Sequence, residues 1–259
     1  MPLTESTRVQ ARTIIGRYPV ARSALLPMLH LVQADEGYVS PDGIALCAQE
    51  LGLTKAEVTA VATFYTMYKR RPTGEHLVSV CTNTLCGLLG GDETYATLSE
   101  RLGVGHNETT EDGRITLEHA ECLAACDFAP VLTVDYEFFD NVTPESAVDL
   151  VDRVRSGDLP QPTRGGRLSS FRETERQLAG VAVHREEALA DTSIGEPTLA
   201  GLQLSADLDE HAPAYPDGRS VGQGEEHHRL GDAWSGIKHA LTAQHEQHEQ
   251  HSHHDGRES

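Results

Sequence analysis

The sequence predicts an α/β protein in three parts. These are a helical bundle over residues 1–72, a small sheet-and-helix domain of βαββα order over 73–160, and a largely disordered tail over 161–259. Three observations carry this reading. Apolar residues recur at spacings of three and four through the first seventy positions, the pattern of helices with one buried face. From Leu77 the grammar changes to short apolar runs broken by one helical stretch. Beyond Pro160 the periodicity thins, while Gly, Pro, Ser, acidic residues and His accumulate.

The bundle opens with a short amphipathic helix carrying Val9, Ile14 and Ile15, ending near Tyr18 and Pro19. The apolar run over residues 24–32 follows, with Pro27 either in its first turn or kinking it, because proline has no N–H for an interior position. Gly37 closes it. Ser40 and Pro41 read as an N-cap and first helical residue, with Ile44, Cys47 and Leu51 as the apolar face and Gly52 as the left-handed cap. Thr54 and Glu57 form a capping box for a fourth helix whose Val58, Val61, Ala62 and Tyr65 share a face.

In the second part LVSV leads into Cys81, and a helix after Cys86 carries Tyr95, Leu98 and Leu102 before Gly103. A turn at Asp112 and Gly113 precedes the strand RITL, and Ala129-Pro130 introduces a second strand, VLTVDY. Thr143 and Pro144 start a last helix with Val148, Val151 and Val154 inward. In the tail, Ser170 and Glu173 form a capping box for a helix bearing Phe171, Leu178 and Val181, which has nothing of its own to pack on. From about Asp191 the apolar content is too low to offset the entropy of ordering. The tail, with that helix and the segment around Trp234, is expected to dock on a partner.

Composition narrows the function. Only 38% of the 259 residues are hydrophobic and 5% aromatic, so part of the chain is expected not to fold alone. A net charge of −19 argues against nucleic-acid binding, which needs a basic face, and points to protein partners. The N-terminus has no signal-like pattern and no stretch reaches the ~18 apolar residues of a membrane span. A soluble, intracellular protein is expected, and five cysteines are too few for a secreted disulfide framework.

Four of those cysteines are paired. Cys81 and Cys86 flank TNTL, Cys122 and Cys126 flank LAA, and about thirty-five residues separate the pairs. Each pair lies on a loop next to a strand, so a βαββα unit brings both loops to one end of the sheet. Thiolates so placed suit a [2Fe-2S] cluster, which takes two per iron. A structural zinc also accepts four cysteines at such spacings, and two redox disulfides are a third option. Plant-type ferredoxin spacing does not match. Leu85, Leu88, Leu89, Leu123 and Phe128 are placed to exclude water, Gly87 and the start of the following helix to point N–H groups at sulfur, and Asp127 to disfavour reduction by its charge.

The runs RSALLPMLHLVQ, GYVS, LGLTKAEV, VATFYTMY, CTNTLC, TTEDGRITL and ECLAACDFAPV resemble the thioredoxin-like [2Fe-2S] ferredoxin family, which provides one of the electron-carrying subunits of NADH-quinone oxidoreductase, respiratory complex I. The resemblance covers about residues 8–160, in order. It implies a thioredoxin-like cluster domain, one [2Fe-2S] cluster on Cys81, Cys86, Cys122 and Cys126, and docking on a flavin-bearing subunit that holds FMN and oxidises NADH. It further implies other complex I subunits as partners, and a place on the cytoplasmic side of a bacterial inner membrane, reached only through the assembled complex. Related domains serve NAD-linked hydrogenases and formate dehydrogenases, and a zinc-stabilised scaffold is the reading from another class. The chain carries no Gly-x-Gly-x-x-Gly turn of its own, so no complete active site is expected in it.

Other reactive residues have plainer readings. Cys47 reads as a small core hydrophobe, and Phe64, Tyr65 and Tyr68 as core at helical spacing, with a partner contact as the alternative. His76, His106 and His119 read as ordinary surface or core residues, because four cysteines already fill the ligand positions. The tail histidines His227, His228, His239, His245, His248, His251, His253 and His254 read as a solvated, weakly chelating tract.

Overall fold

In the computed structural model, which describes residues 3–181 and 196–208, three of the four bundle helices begin at side-chain caps. Helix α1 (Glu5–Ile15) starts at Thr4, α3 (Pro41–Leu51) at Ser40 and α4 (Lys55–Phe64) at Thr54. At Thr54 the box is complete: the hydroxyl accepts from Glu57 N, and the Glu57 carboxylate accepts from Thr54 N. Helix α2 (Leu25–Glu36) instead grows out of a 3-10 turn, Ala21–Ala24, which leaves Pro27 in the first α-helical turn. It is the central helix, with Met28, Leu29, Leu31 and Val32 fully buried. Helix α3 presses on it so closely that a Cβ on Gly43 would lie 2.1 Å from Val32 Cγ1.

The fourth helix ends sooner than its periodicity suggests. Tyr65 turns to extended backbone at φ −98, so it does not continue the face of Val58 and Ala62, and Phe64 and Tyr65 are both exposed. Of the three aromatics expected in the core only Tyr68 is buried, with its hydroxyl donating to Leu26 O at 3.0 Å.

The α/β domain keeps the expected order and adds two short strands. Strands β1 (His76–Cys81), β3 (Ile115–Ala120) and β4 (Leu132–Val134) are joined by β2 (Glu108–Thr109) and β5 (Glu137–Phe139), in the order β2-β3-β1-β4-β5. Only β1 and β3 are parallel. The helical stretch after Cys81 is two helices, α5 (Thr84–Leu88) and α6 (Gly91–Leu102), and α7 (Pro144–Ser156) closes the domain. Val78, Val80, Ile115, Leu117, Leu132 and Val134 face α6 and α7 as one apolar layer. The alternate residues are polar and turn towards the segment leaving the bundle: Ser79 Oγ donates to Glu118 at 2.6 Å, Glu118 pairs with Lys69, and Gly74 N donates to Thr116 Oγ1 at 2.7 Å.

The strand expected over VLTVDY stops at Val134. Asp135 and Tyr136, at φ 50 and 72, form the two-residue turn of the β4–β5 hairpin, where Val134 pairs with Glu137. Both left-handed residues are what a type I′ turn requires. Neither is glycine, so partners must hold them: Asp135 accepts from Leu77 N at 2.8 Å and meets His76 Nδ1 at 2.6 Å, and Tyr136 OH donates to Glu175 at 3.2 Å.

Helix α8 (Phe171–Leu178) has the capping box expected at Ser170 and Glu173, but it does pack on its own chain. It lies against α2, Phe171 is fully buried, and Ala179 and Val181 complete the bundle core. Glu175 meets His30 at 2.6 Å, Arg176 meets Asp35 at 3.0 Å, and Phe171 N donates to Glu75 O at 2.9 Å. Much of this contact is polar and buried, which apolar periodicity does not register. The unit formed by residues 194–259 contributes one described helix, α9 (Glu196–Asp207). It falls in a stretch expected to be disordered, with Pro197 tolerated in its first turn. Trp234 and the tail histidines lie outside the described residues. Among the described residues no helix is long and apolar enough to cross a membrane.

Candidate iron-sulfur site

Parallel pairing of β1 and β3 sets Cys81 beside Ala120, so the chain leaves both strands at the same end of the sheet. Cys81 is the last residue of β1 and Cys86 lies within α5. Cys122 follows β3 by two residues, and Cys126 opens a 3-10 turn, Cys126–Phe128. Cys81 and Cys86 are buried neighbours in one hydrophobic cluster, and the exposed Cys122 and Cys126 Sγ atoms are 3.8 Å apart. Cys126 is within electrostatic reach of both Cys81 and Cys86. All four sequence-predicted residues thus meet at one end of the sheet. Cys47 does not: it is buried in the bundle, where desolvation pushes its thiol up to about 12.

The loops are held by backbone. Ala124, in the left-handed region at φ 57, turns its N–H onto Cys122 Sγ at 3.4 Å, and the Val131 backbone favours the charged form of Cys86. The Gly87 N–H expected to face sulfur is used by Asn83 O at 2.9 Å. Gly91 is where α6 touches the site. A Cβ there would lie 2.5 Å from Cys81 O and 2.8 Å from Cys86 O. Its only sequence signal is a glycine at the start of a helix.

Leu123 and Phe128 half-bury themselves beside Cys81, Cys86, Ala125 and Val131. Leu85, Leu88 and Leu89 do not cover the thiols: they are 42%, 78% and 55% exposed. A five-residue helix with Cys86 turned inwards has room to bury little else.

Electrostatics favour a cationic occupant. Burial first, then the neighbouring Cys81, pushes Cys86 up to about 11, and Cys126 is raised by the hydrogen bond and charge of Cys122. Cys86 and Cys126, crowded in this way, resist ionisation until a metal compensates their charge. The four thiols are arranged as two pairs. Among the described residues no three His, Cys, Asp or Glu side chains are grouped to hold a single ion. Two thiolates per iron is the demand of a [2Fe-2S] cluster, and the donor set fits it.

The histidines stay apart from this set. His76 is buried against Asp135, while His106 and His119 stack with centroids 4.0 Å apart, and His119 N donates to His106 Nδ1 at 3.2 Å. Burial, then His119, lowers the His106 pKa. Both line a cleft of about 790 Å³ that also touches Tyr65, Lys69, Glu118 and Cys122. A second cleft, of about 730 Å³ near Arg71, Leu102 and Glu108, contains none of the cysteines.

Paired thiols on two parallel-strand ends of a small mixed sheet define a sulfur-ligated metal or iron-sulfur protein. The family model for thioredoxin-like [2Fe-2S] ferredoxin matches residues 11–155, and the chain belongs to that family. An NADH-quinone oxidoreductase subunit from Mycobacterium tuberculosis is 59% identical over 208 residues, covering 80% of this chain and 82% of that protein. The mitochondrial NADH dehydrogenase [ubiquinone] flavoprotein 2 of Dictyostelium discoideum is 35% identical, covering 63% and 66%. Among solved structures, a thioredoxin-like [2Fe-2S] ferredoxin from Aquifex aeolicus aligns with TM-score 0.29 and 19% identity, over 34% of this chain and 86% of that one.

Proposed function

We propose that this chain is the [2Fe-2S] electron-transfer subunit of an NADH-quinone oxidoreductase, with Cys81, Cys86, Cys122 and Cys126 as the ligands of one cluster. The observation that carries this is the convergence of two thiol pairs, one buried and one exposed, at one end of the sheet. The names of the 59% identical relatives support the parent enzyme. When bound, the cluster supplies a site that gains and loses one electron at a time. NADH and FMN belong to a partner subunit, from whose reduced flavin the electron comes, and the chain reaches the cytoplasmic face of a bacterial inner membrane only through that assembly.

The chain's own residues do the positioning. Strands β1 and β3 fix where the two pairs start, Gly91 lets α6 close against Cys81 and Cys86, and the Val131 backbone and the Ala124 N–H stabilise sulfur charge. Leu123 and Phe128 keep water from the inner pair. The outer pair, Cys122 and Cys126, is the side from which an electron enters.

The test is anaerobic purification of the full-length protein. Two irons and two labile sulfides per chain, visible absorption and an EPR signal on reduction are expected. Serine at any of the four positions should abolish or alter that signal, and Cys47→Ser should not. A colourless, zinc-containing preparation would overturn the assignment.

A further inference from the structure

The segments that carry the four cysteines bring no cation of their own: no Lys or Arg occurs in residues 72–100 or 115–152. One guanidinium reaches them from later in the chain. After α7 the chain returns along the edge strand of the sheet, where Arg164 forms an antiparallel bridge with Phe138 of β5. Thr163 N donates to Phe138 O and Gly166 N to Glu137 Oε2, each at 2.9 Å. This short strap takes up groups that an edge strand leaves unpaired.

The Arg164 side chain reaches past β5 to the cysteine loop. Its guanidinium carbon lies 4.1 Å from the centre of the Phe138 ring and 5.2 Å from that of Phe128. The same group forks onto Asp140, with Nε to Oδ2 at 3.1 Å and Nη2 to Oδ1 at 3.0 Å. A planar guanidinium can stack and fork at once, which the point charge of lysine cannot. Phe128 ends the 3-10 turn that Cys126 opens, and it packs beside Cys81 and Cys86. From Asp140 the backbone runs back to that turn: Asn141 N donates to Phe128 O and Val142 N to Pro130 O, both at 2.9 Å. One side chain thus braces both the ring and the backbone that border Cys126.

We infer that Arg164, which lies beyond residues 11–155 matched by the family model, is a positioning residue for the cluster, fixing the turn that carries Cys126 and cancelling the charge of Asp140 beside it. This rests on the function proposed above. The Asp140 side chain is only 8% exposed, so without Arg164 its carboxylate would stand uncompensated and poorly solvated close to the cysteine loop. Added negative charge there disfavours the electron that the cluster must accept.

The experiment compares full-length protein, purified without oxygen, with Arg164→Gln, Arg164→Lys and Glu137→Ala. Four quantities are read: EPR line shape, cluster potential by redox titration, the rate of iron loss to a chelator, and the urea midpoint. Arg164→Gln is expected to change the line shape, lower the potential and release iron about tenfold faster. Arg164→Lys keeps the charge and loses the fork, so its potential should hold while line shape and iron release follow Arg164→Gln. Glu137→Ala frees Gly166 and leaves the Arg164 contacts in place, so only its urea midpoint should fall. If line shape, potential or iron release stays unchanged in Arg164→Gln, or if Glu137→Ala alters them equally, the inference falls and the electron-transfer reading stands. Should Arg164→Gln fail to fold, Arg164→Lys decides by its line shape and iron release. An unaltered chain that holds no cluster overturns both readings together.

Discussion

His30 Nδ1 lies 2.6 Å from Glu175 Oε2, a contact between buried side chains 145 residues apart. It joins the centre of the bundle to α8, and through Tyr136 the same carboxylate reaches the β4–β5 turn. Removing one partner leaves the other buried without compensation. Glu175→Ala is expected to cost about 3 kcal/mol in urea unfolding, more than an exposed pair such as Arg101 and Asp152, whose loss should cost under about 1 kcal/mol.

Because α8 completes the bundle, where the chain is shortened matters. Deleting residues 165–259 removes Phe171, Glu175 and Ala179 from buried positions. That protein is expected to unfold at a denaturant midpoint well below that of the full chain. Deleting from residue 182 keeps Phe171, Glu175 and Ala179 in their buried positions and should lower the midpoint far less.

Asp135 carries a pH dependence of its own. Burial raises its pKa to about 6, against the opposing pull of His76 and the Leu77 N–H. Between about pH 4 and 6 the unfolded chain has released this proton and the folded chain keeps it, so the folded state binds more protons. Its contribution to stability is therefore full below about pH 4 and falls as pH rises to about 6, by at most about 3 kcal/mol. Asparagine accepts the left-handed turn at this position, so Asp135→Asn should fold and lose that part of the slope in urea midpoints taken across the range.

Gly91→Ala places a methyl where two carbonyl oxygens already stand. The strain is expected to cost about 1–3 kcal/mol and to displace the Cys81 and Cys86 loops. Iron per chain should drop, and the EPR line shape of what remains should change.

Asp127 adds negative charge next to Cys126, so Asp127→Asn is expected to raise the cluster potential by on the order of tens of millivolts. EPR-monitored redox titration reads this directly, and an unchanged or lower value would contradict it.

Much of the architecture is legible in the sequence because local chemistry specifies it. Thr54 with Glu57, Ser40 with Pro41, and Gly37 and Gly52 announce helix ends by caps that need no tertiary context. The four cysteines are equally legible, since their spacing relative to β1 and β3 follows from the strand pattern. Features set by distant partners are not legible. Asp135-Tyr136 lacks the glycine or asparagine that signals a type I′ turn and is held by His76, Leu77 and Glu175. Helix α8 looks unpartnered because its contact with α2 rests on one phenylalanine and buried polar pairs. Gly91 is conspicuous only once Cys81 and Cys86 are seen against it.

The return of residues 171–181 to the first bundle has a consequence for the order in which the protein is made. Helices α1 to α4 leave the ribosome about a hundred residues before the segment that finishes their hydrophobic interior. At about 5–20 residues per second, several seconds pass with that wall open. The α/β domain emerges during this interval, so final closure of the bundle waits for the cysteine-bearing domain to have been synthesised.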